Sequence, residues 1–358
     1  MRLAIIDNIC YNVFMNDLWT ELKNTNKPIV LYGMGNGADK IISVLNAKGI
    51  KFDGIFSSDS FVRDKTFHGF KMESYSNLKE KYGDMVVLLC FGTKLLDVLD
   101  NINRIALEQE LYSPDVPVYG NILFDKEYVQ NHYKELEQVY ANLADSVSKN
   151  TFENMVKYKL SGKLQHLYDC EVSENEPYES FLHLGNSENF IDLGAYRGDT
   201  VADFISRVNS YTHIYAVEPD LKTFKKLSEN VKGIKNITLF NACAADKSGK
   251  IPFSMLGSRG ASINDSGALT DSICVDDIIK EKSDIFIKMD IEGAETLSIL
   301  GAENTIKNFK PKILISCYHK SEDLIEIPKA VLSIRKDYKM YMRHFKSVPA
   351  WDTCYYFV

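Results

Sequence analysis

Twice along this chain an apolar run of strand length ends in a glycine turn that opens a helix. The first is IVLYGMGNGADKI, Ile29 to Ile41; the second is IDLGAYRGDT, Ile191 to Thr200. Glycine adopts backbone conformations that a Cβ forbids, so such turns let the backbone approach a ligand closely. Around each turn, strand-like and helix-like patterns alternate, which predicts an α/β chain built on parallel sheets. The 358 residues, 45% of them hydrophobic, suffice for two such units, each with its own core.

Between 28 and 118, PIVLYG, FDGIFSS, DMVVLLCFG and VPVYG read as strands, with ADKIISVLNAKG, SNLKEKYG and TKLLDVLDNINRIAL as helices. Residues 1–27 read as a helical lead-in. Residues 121–185, rich in Tyr, Asn, Glu and Lys, read as a helical connector in which CEVSENEPYESF is a loop. The pattern restarts at Asn189 with NFIDLG, HIYAVEP, ITLFNACAA, SICVDDI, DIFIKMD, KILISCYH, KMYMRHF and TCYYFV. Only a short loop separates the last two, so they predict an antiparallel pair closing a mostly parallel sheet. The division is therefore 1–120, a smaller Rossmann-like α/β domain; 121–185, the connector; and 186–358, the second α/β domain.

Charge argues against nucleic acid as a partner: the net charge is -7 and the pI about 5.6. The seven cysteines (Cys10, Cys90, Cys170, Cys243, Cys274, Cys317 and Cys354) include no C-x-x-C pair and sit in runs such as VVLLCFG. They read as buried hydrophobes in a reducing compartment, not as a zinc site. The N-terminus MRLAIIDNICYNVF breaks its apolar run at Asp7 and Asn8, unlike a signal peptide. The longest apolar run, MVVLLCFG, falls short of the ~18 residues of a membrane helix. A soluble, cytoplasmic protein without stable membrane insertion is expected.

In doubly wound sheets the ligand sits at the carboxyl ends of the strands. The strands of the second domain end, in chain order, at Asp192, Glu218, Asp246, Asp290 and His319. Glu218 follows the turn at about the 20-residue spacing of a ribose-binding acid. The turn argues against a dinucleotide. It lacks G-x-G, since Ala195 and Tyr196 follow Gly194, and Asp199 at the helix start would repel a pyrophosphate. S-adenosylmethionine, with a ribose, an adenine, a positive charge and no phosphate, fits better. Asp192 would favour its ammonium, directly or through water. Thr200, a good helix-start residue, is counted with the cofactor set.

IDLGAYRGDT, IYAVEPDLKTFKKLSENV, NACAADKSG and IKMDIEGAE followed by LSILGAENTI resemble the FkbM-type S-adenosylmethionine-dependent methyltransferases. The resemblance covers residues 186 to 358, and ADSVSKNTFENMVKYKLSG is similar to the connector of longer bacterial members. It implies a seven-stranded Rossmann-like methyltransferase sheet and O-methyl transfer to a small molecule, often a sugar hydroxyl or natural product. It also implies cofactor contacts at Asp192, Gly194, Ala195, Tyr196, Gly198, Glu218, Pro219 and Asp246. The acceptor is left open.

Methyl transfer to a hydroxyl needs a base on the acceptor side. Asp290 and His319 end strands expected to be adjacent, and His319 has the better ordinary pKa for the task. Tyr178 is the fallback, and Arg343 and His344 are further acceptor-side candidates. Glu292 and Glu295 read as acids favouring a helix dipole. Asp290, Glu292 and His319 form an alternative set for a divalent cation, but the further ligands such a site needs are not clearly supplied, and no metal is expected. The first turn matches G-x-G-x-x-[GA] through Gly33, Gly35 and Ala38 but lacks a well-placed acid, with only Asp53 and Asp59 near its second strand. That domain resembles small modules of sugar-modifying enzymes and reads as a recognition or assembly unit, a candidate holder of a nucleotide-like group without a redox role, and a homo-oligomer is among the options for the protein. The rival readings are a nicotinamide-dependent oxidoreductase or epimerase run by the first turn, and a non-catalytic binding module that keeps the methyltransferase fold.

Overall fold

The computed structural model describes residues 17–58, 65–255, 261–263 and 268–358. Cys10, Asp59 and most of the expected N-terminal lead-in lie outside them. The helix Leu18–Asn24 is capped by Asp17, whose carboxylate accepts from the Trp19 N–H at 2.8 Å.

The N-terminal sheet takes the strands β1 (Ile29–Tyr32), β2 (Gly54–Ser57), β3 (Thr66–Phe67), β4 (Phe70–Ser74), β5 (Val86–Leu89) and β6 (Glu110–Tyr112) in the order β3-β4-β2-β1-β5-β6. IVLY and VVLL are buried throughout, as central parallel strands are. Two features depart from the sequence reading. VPVYG is not a strand; β6 lies just before it, because Pro114 and Pro117 have no N–H for a ladder. A β3–β4 hairpin was also missed. Its two-residue His68–Gly69 turn has positive φ at both positions.

The connector holds helices Lys126–Asn131, Tyr133–Asn142, Ser146–Ser161, Gln165–Tyr168 and Glu176–Ser180. The last falls in the expected loop, where Pro177 suits a first helical turn.

The C-terminal strands are β7 (Asn189–Leu193), β8 (His213–Val217), β9 (Ile237–Phe240), β10 (Cys243–Ala244), β11 (Gly249–Met255), β12 (Ala261–Ile263), β13 (Ala268–Ile273), β14 (Ile285–Met289), β15 (Lys312–Ser316), β16 (Met340–His344) and β17 (Thr353–Phe357). Seven of them form one sheet, β16-β17-β15-β14-β7-β8-β9, in which β17 runs antiparallel to both neighbours. The others form a small sheet, β10-β13-β11-β12. SICVDDI, expected as a strand of the main sheet, contributes to β13 of this small sheet and then turns into the helix Val275–Ile278. Among the described residues no helix is long and apolar enough to cross a membrane.

One apolar cluster runs through all three segments, from Val87 through Phe152 to Ile315. The connector also covers β16, the sheet edge, and so removes an exposed ladder. Its Leu143 and Glu171 bridge to Met340 and His344. Arg343 is fully buried there, with its guanidinium held by Asp145 at 2.8 Å, Glu176 and the Ser148 hydroxyl. Both Arg343 and His344 are therefore structural, correcting their acceptor-side assignment. The buried His344 ring pairs with the Thr353 hydroxyl at 2.9 Å, and burial pushes its pKa down to about 4. Arg343→Met should leave two carboxylates facing an apolar group and destabilise the fold by about 3 kcal/mol. Urea denaturation measures this; a midpoint like the wild type's would remove Arg343 from the structural account.

Candidate active site

β7 and β14 are parallel neighbours at the centre of the large sheet, where connections diverge to either side. Their register sets Asp192 beside Lys288. Asp192 is fully buried, with Lys288 Nζ 3.2 Å from Oδ1 and the Thr200 hydroxyl donating to Oδ2. Lys288 Nζ also donates to the Gly194 carbonyl at 3.1 Å. Burial opposes the charge on Lys288, but Asp192 and then Asp290 outweigh it and raise its pKa. Asp192 is thus the counter-ion of an internal lysine. This corrects the expectation that it would favour a cofactor ammonium, because the sequence does not reveal which charge lies across the strand.

Glycine is required at 194. Its φ is +85°, and a Cβ would lie 2.0 Å from the Asp290 carbonyl oxygen. Gly198, at φ +87°, caps the helix Asp199–Arg207. The turn borders a cavity of about 1400 Å³ over the strand ends, lined by Gly194, Tyr196, Thr200, Glu218, Pro219 and Asp290 among the expected residues. Asp192, Ala195 and Gly198 support the turn from behind. Asp246 is not on the wall, because the chain turns at β10 and presents Cys243 and Ala244 instead.

Glu218 is almost fully buried. One carboxylate oxygen accepts the Tyr196 N–H at 3.1 Å and the other the Asp220 N–H at 2.8 Å. Burial raises its pKa to about 7 despite these bonds. A carboxylate oxygen has two lone pairs, so each keeps acceptor capacity for a hydroxyl.

On the opposite wall, Asp290 Oδ1 accepts the Tyr318 hydroxyl at 3.0 Å and lies 3.4 Å from His319 Nε2. Burial would raise the Asp290 pKa, but Lys288 and His319 outweigh it and hold the carboxyl below its ordinary value. His319 is 1% exposed, with Nδ1 2.9 Å from Glu295 Oε1. Burial disfavours its charge, yet Glu295, Asp290 and Glu292 drive its pKa up to about 10. The ring lies behind the cavity wall among three carboxylates that favour its charged form, which corrects its assignment as the base. Glu295 begins the helix Glu295–Leu300 but is buried, accepting from the Ile291 N–H at 3.1 Å. Glu292 precedes that helix at φ +53° and lines the cavity. The carboxylates and imidazole with metal-ligand spacing among the described residues are Glu295, His319 and Asp323, not the trio weighed from sequence. Tyr178 lines the cavity beneath the Arg207 guanidinium, and burial pushes its hydroxyl pKa up to about 12.

Sequence reasoning missed Lys288, Lys94 and Asp352, which also line the cavity, and Tyr318, which holds Asp290 from behind its wall. A lysine inside the apolar strand IFIKM was the available signal for the first. Gly194→Ala should cost more than about 2 kcal/mol, combining a backbone clash with a left-handed φ. Thermal denaturation with unchanged stability would show that the turn can shift.

Residues 192–340 match the family model described as the Methyltransferase FkbM domain. Among solved structures, Methyltransferase FkbM from Methylobacillus flagellatus KT is similar over 100% of both chains, with 22% identity and a TM-score of 0.74. Fibrillarin from Aeropyrum pernix, in complex with natively bound S-adenosyl-L-methionine, overlaps 50% of this chain and 70% of its own, with 14% identity and a TM-score of 0.32. A putative methyltransferase from Streptococcus mutans in complex with SAH overlaps 49% of this chain and 91% of its own, with 11% identity and a TM-score of 0.31. No curated protein matches the chain. The segment 192–340, which holds the glycine turn, Glu218 and Asp290, is thus the part of the chain that matches the methyltransferase FkbM domain, within a fold shared along the whole chain with the Methylobacillus flagellatus protein.

Proposed function

We propose that the chain is an S-adenosylmethionine-dependent O-methyltransferase acting on a hydroxyl of a sugar, glycan or related small molecule. The observation that carries this reading is Glu218, a buried carboxylate beside a glycine turn with one acceptor position left on each oxygen. That arrangement suits a ribose diol. Asp199 and Asp203 on the same wall disfavour a pyrophosphate. Gly194, Tyr196, Glu218 and Pro219 would hold the cofactor. When bound, it supplies a methyl group on a sulfonium.

Asp290 orients the acceptor hydroxyl and takes its proton. A base of low pKa suffices, because an oxygen that has gained a methyl and still carries its proton is a strong acid. His319 and Lys288 keep Asp290 ionised before the reaction, and Tyr318 fixes its orientation. The cavity walls align the groups and exclude water.

Ribose hydroxyls donating to Glu218 favour its charged form, so binding should release a proton. SAH affinity should therefore fall as pH drops through about 7. Glu218→Gln should weaken SAH binding by about 1–3 kcal/mol and flatten that dependence. Calorimetry across this range tests both, and a wild type that does not bind SAH would sink the reading. Asp290→Asn should slow labelled-methyl transfer into a pool of glycosides by about 10²- to 10⁴-fold while SAH affinity holds. A rate near the wild type's would exclude Asp290 as the proton acceptor.

A further inference from the structure

The first glycine turn opens on a second cavity, of about 490 Å³. Its floor is the carboxyl ends of β1 and β5, the divergence point of the N-terminal sheet and the place where open α/β sheets take ligands. Its opposite wall belongs to the C-terminal half: Glu292, Tyr318 and the bend carrying Trp351 and Asp352. Lys94, Glu292 and Asp352 line both cavities. Tyr318 stands at the join, because its hydroxyl donates to Asp290 on the wall of the larger one.

The two walls are fastened together. Thr93 and Val348 exchange both backbone hydrogen bonds, at 2.7 and 3.0 Å. Gly92 admits the Trp351 ring, since a Cβ there would lie 2.1 Å from Cζ3. Asp39, in the first turn of the helix Asn36–Ala47, pairs with His68 at 2.7 Å. Lys40 is committed to the Pro117 and Val118 carbonyls.

We propose that this second cavity holds the body of the methyl acceptor, a ring-bearing polyol of the glycosyl class, whose reacting hydroxyl reaches past Tyr318 and Glu292 to Asp290. The lining combines the aromatic surface of Phe91 and Trp351 with the carboxylates Glu292 and Asp352 and the ammonium of Lys94. Aromatic faces take the C–H face of a sugar ring, and carboxylates take its hydroxyls. The volume falls in the range of about 300–1,000 Å³ that small-molecule sites occupy. The N-terminal domain is then the acceptor-recognition half of one composite site. This rests on the methyltransferase reading, since it sets the acceptor beside Asp290.

The test is saturation-transfer NMR on the full chain with SAH present. The probes are the methyl glycosides of glucose, galactose, rhamnose and N-acetylglucosamine, and the uridine diphosphate conjugates of the same sugars. At least one should bind, and about tenfold more weakly in both Trp351→Ala and the cavity-filling Met34→Trp. SAH affinity by calorimetry should be unchanged in both, which also shows that they fold. Binding by no member of the panel, or binding that survives both substitutions, overturns the proposal. A wild type that binds a saccharide in this cavity but not SAH would support the cavity assignment and remove the methyltransferase reading.

Discussion

The buried pair of Asp192 and Lys288 fixes the centre of the large sheet. A charge at this depth persists only with a partner, and losing either leaves the other stranded at a cost of about 3–5 kcal/mol. Lys288 also reaches the Gly194 carbonyl, so the same ammonium locks the glycine turn to β14. From there the charges alternate across the strand ends: Asp192, Lys288, Asp290, His319, Glu295. Each has an opposite neighbour in the row, and the ionisation of Asp290 is set by the two cations that flank it. The row explains why a histidine at a strand end does not behave as a histidine in water.

The two sheets present the carboxyl ends of their strands to adjoining cavities. The connector makes this arrangement by packing along β16 and joining the apolar core, while the Thr93–Val348 bridge and the Gly92–Trp351 contact hold the far side. The glycine turns therefore serve adjoining chambers, and the residues between them come from neither turn.

Much of this was legible in the sequence. The glycine turns, the strands around them and the ends at Glu218 and Asp290 follow from hydrophobic runs and from where those runs stop. VPVYG was misread because its apolar pattern outweighed two prolines that forbid a ladder. His319 was placed at the correct strand end, but its proton depends on Glu295 and Glu292, which arrive from another loop and helix start. Arg343 was read as an acceptor-side group because its partners, Asp145 and Glu176, are far away in the chain. Asp352 sits at the bend before the last strand, a position with no local signature.

The shared core has a consequence for the cysteines. Cys170, in the connector, and Cys317, just past β15, both belong to the apolar cluster that spans the three segments, and burial is the first cause raising their pKa values. A thiol reagent reaches such groups only when the surrounding structure opens. With one apolar cluster spanning the three segments, their labelling rates should converge on a single opening event. The chain thus carries its own reporters of whether its halves ever come apart.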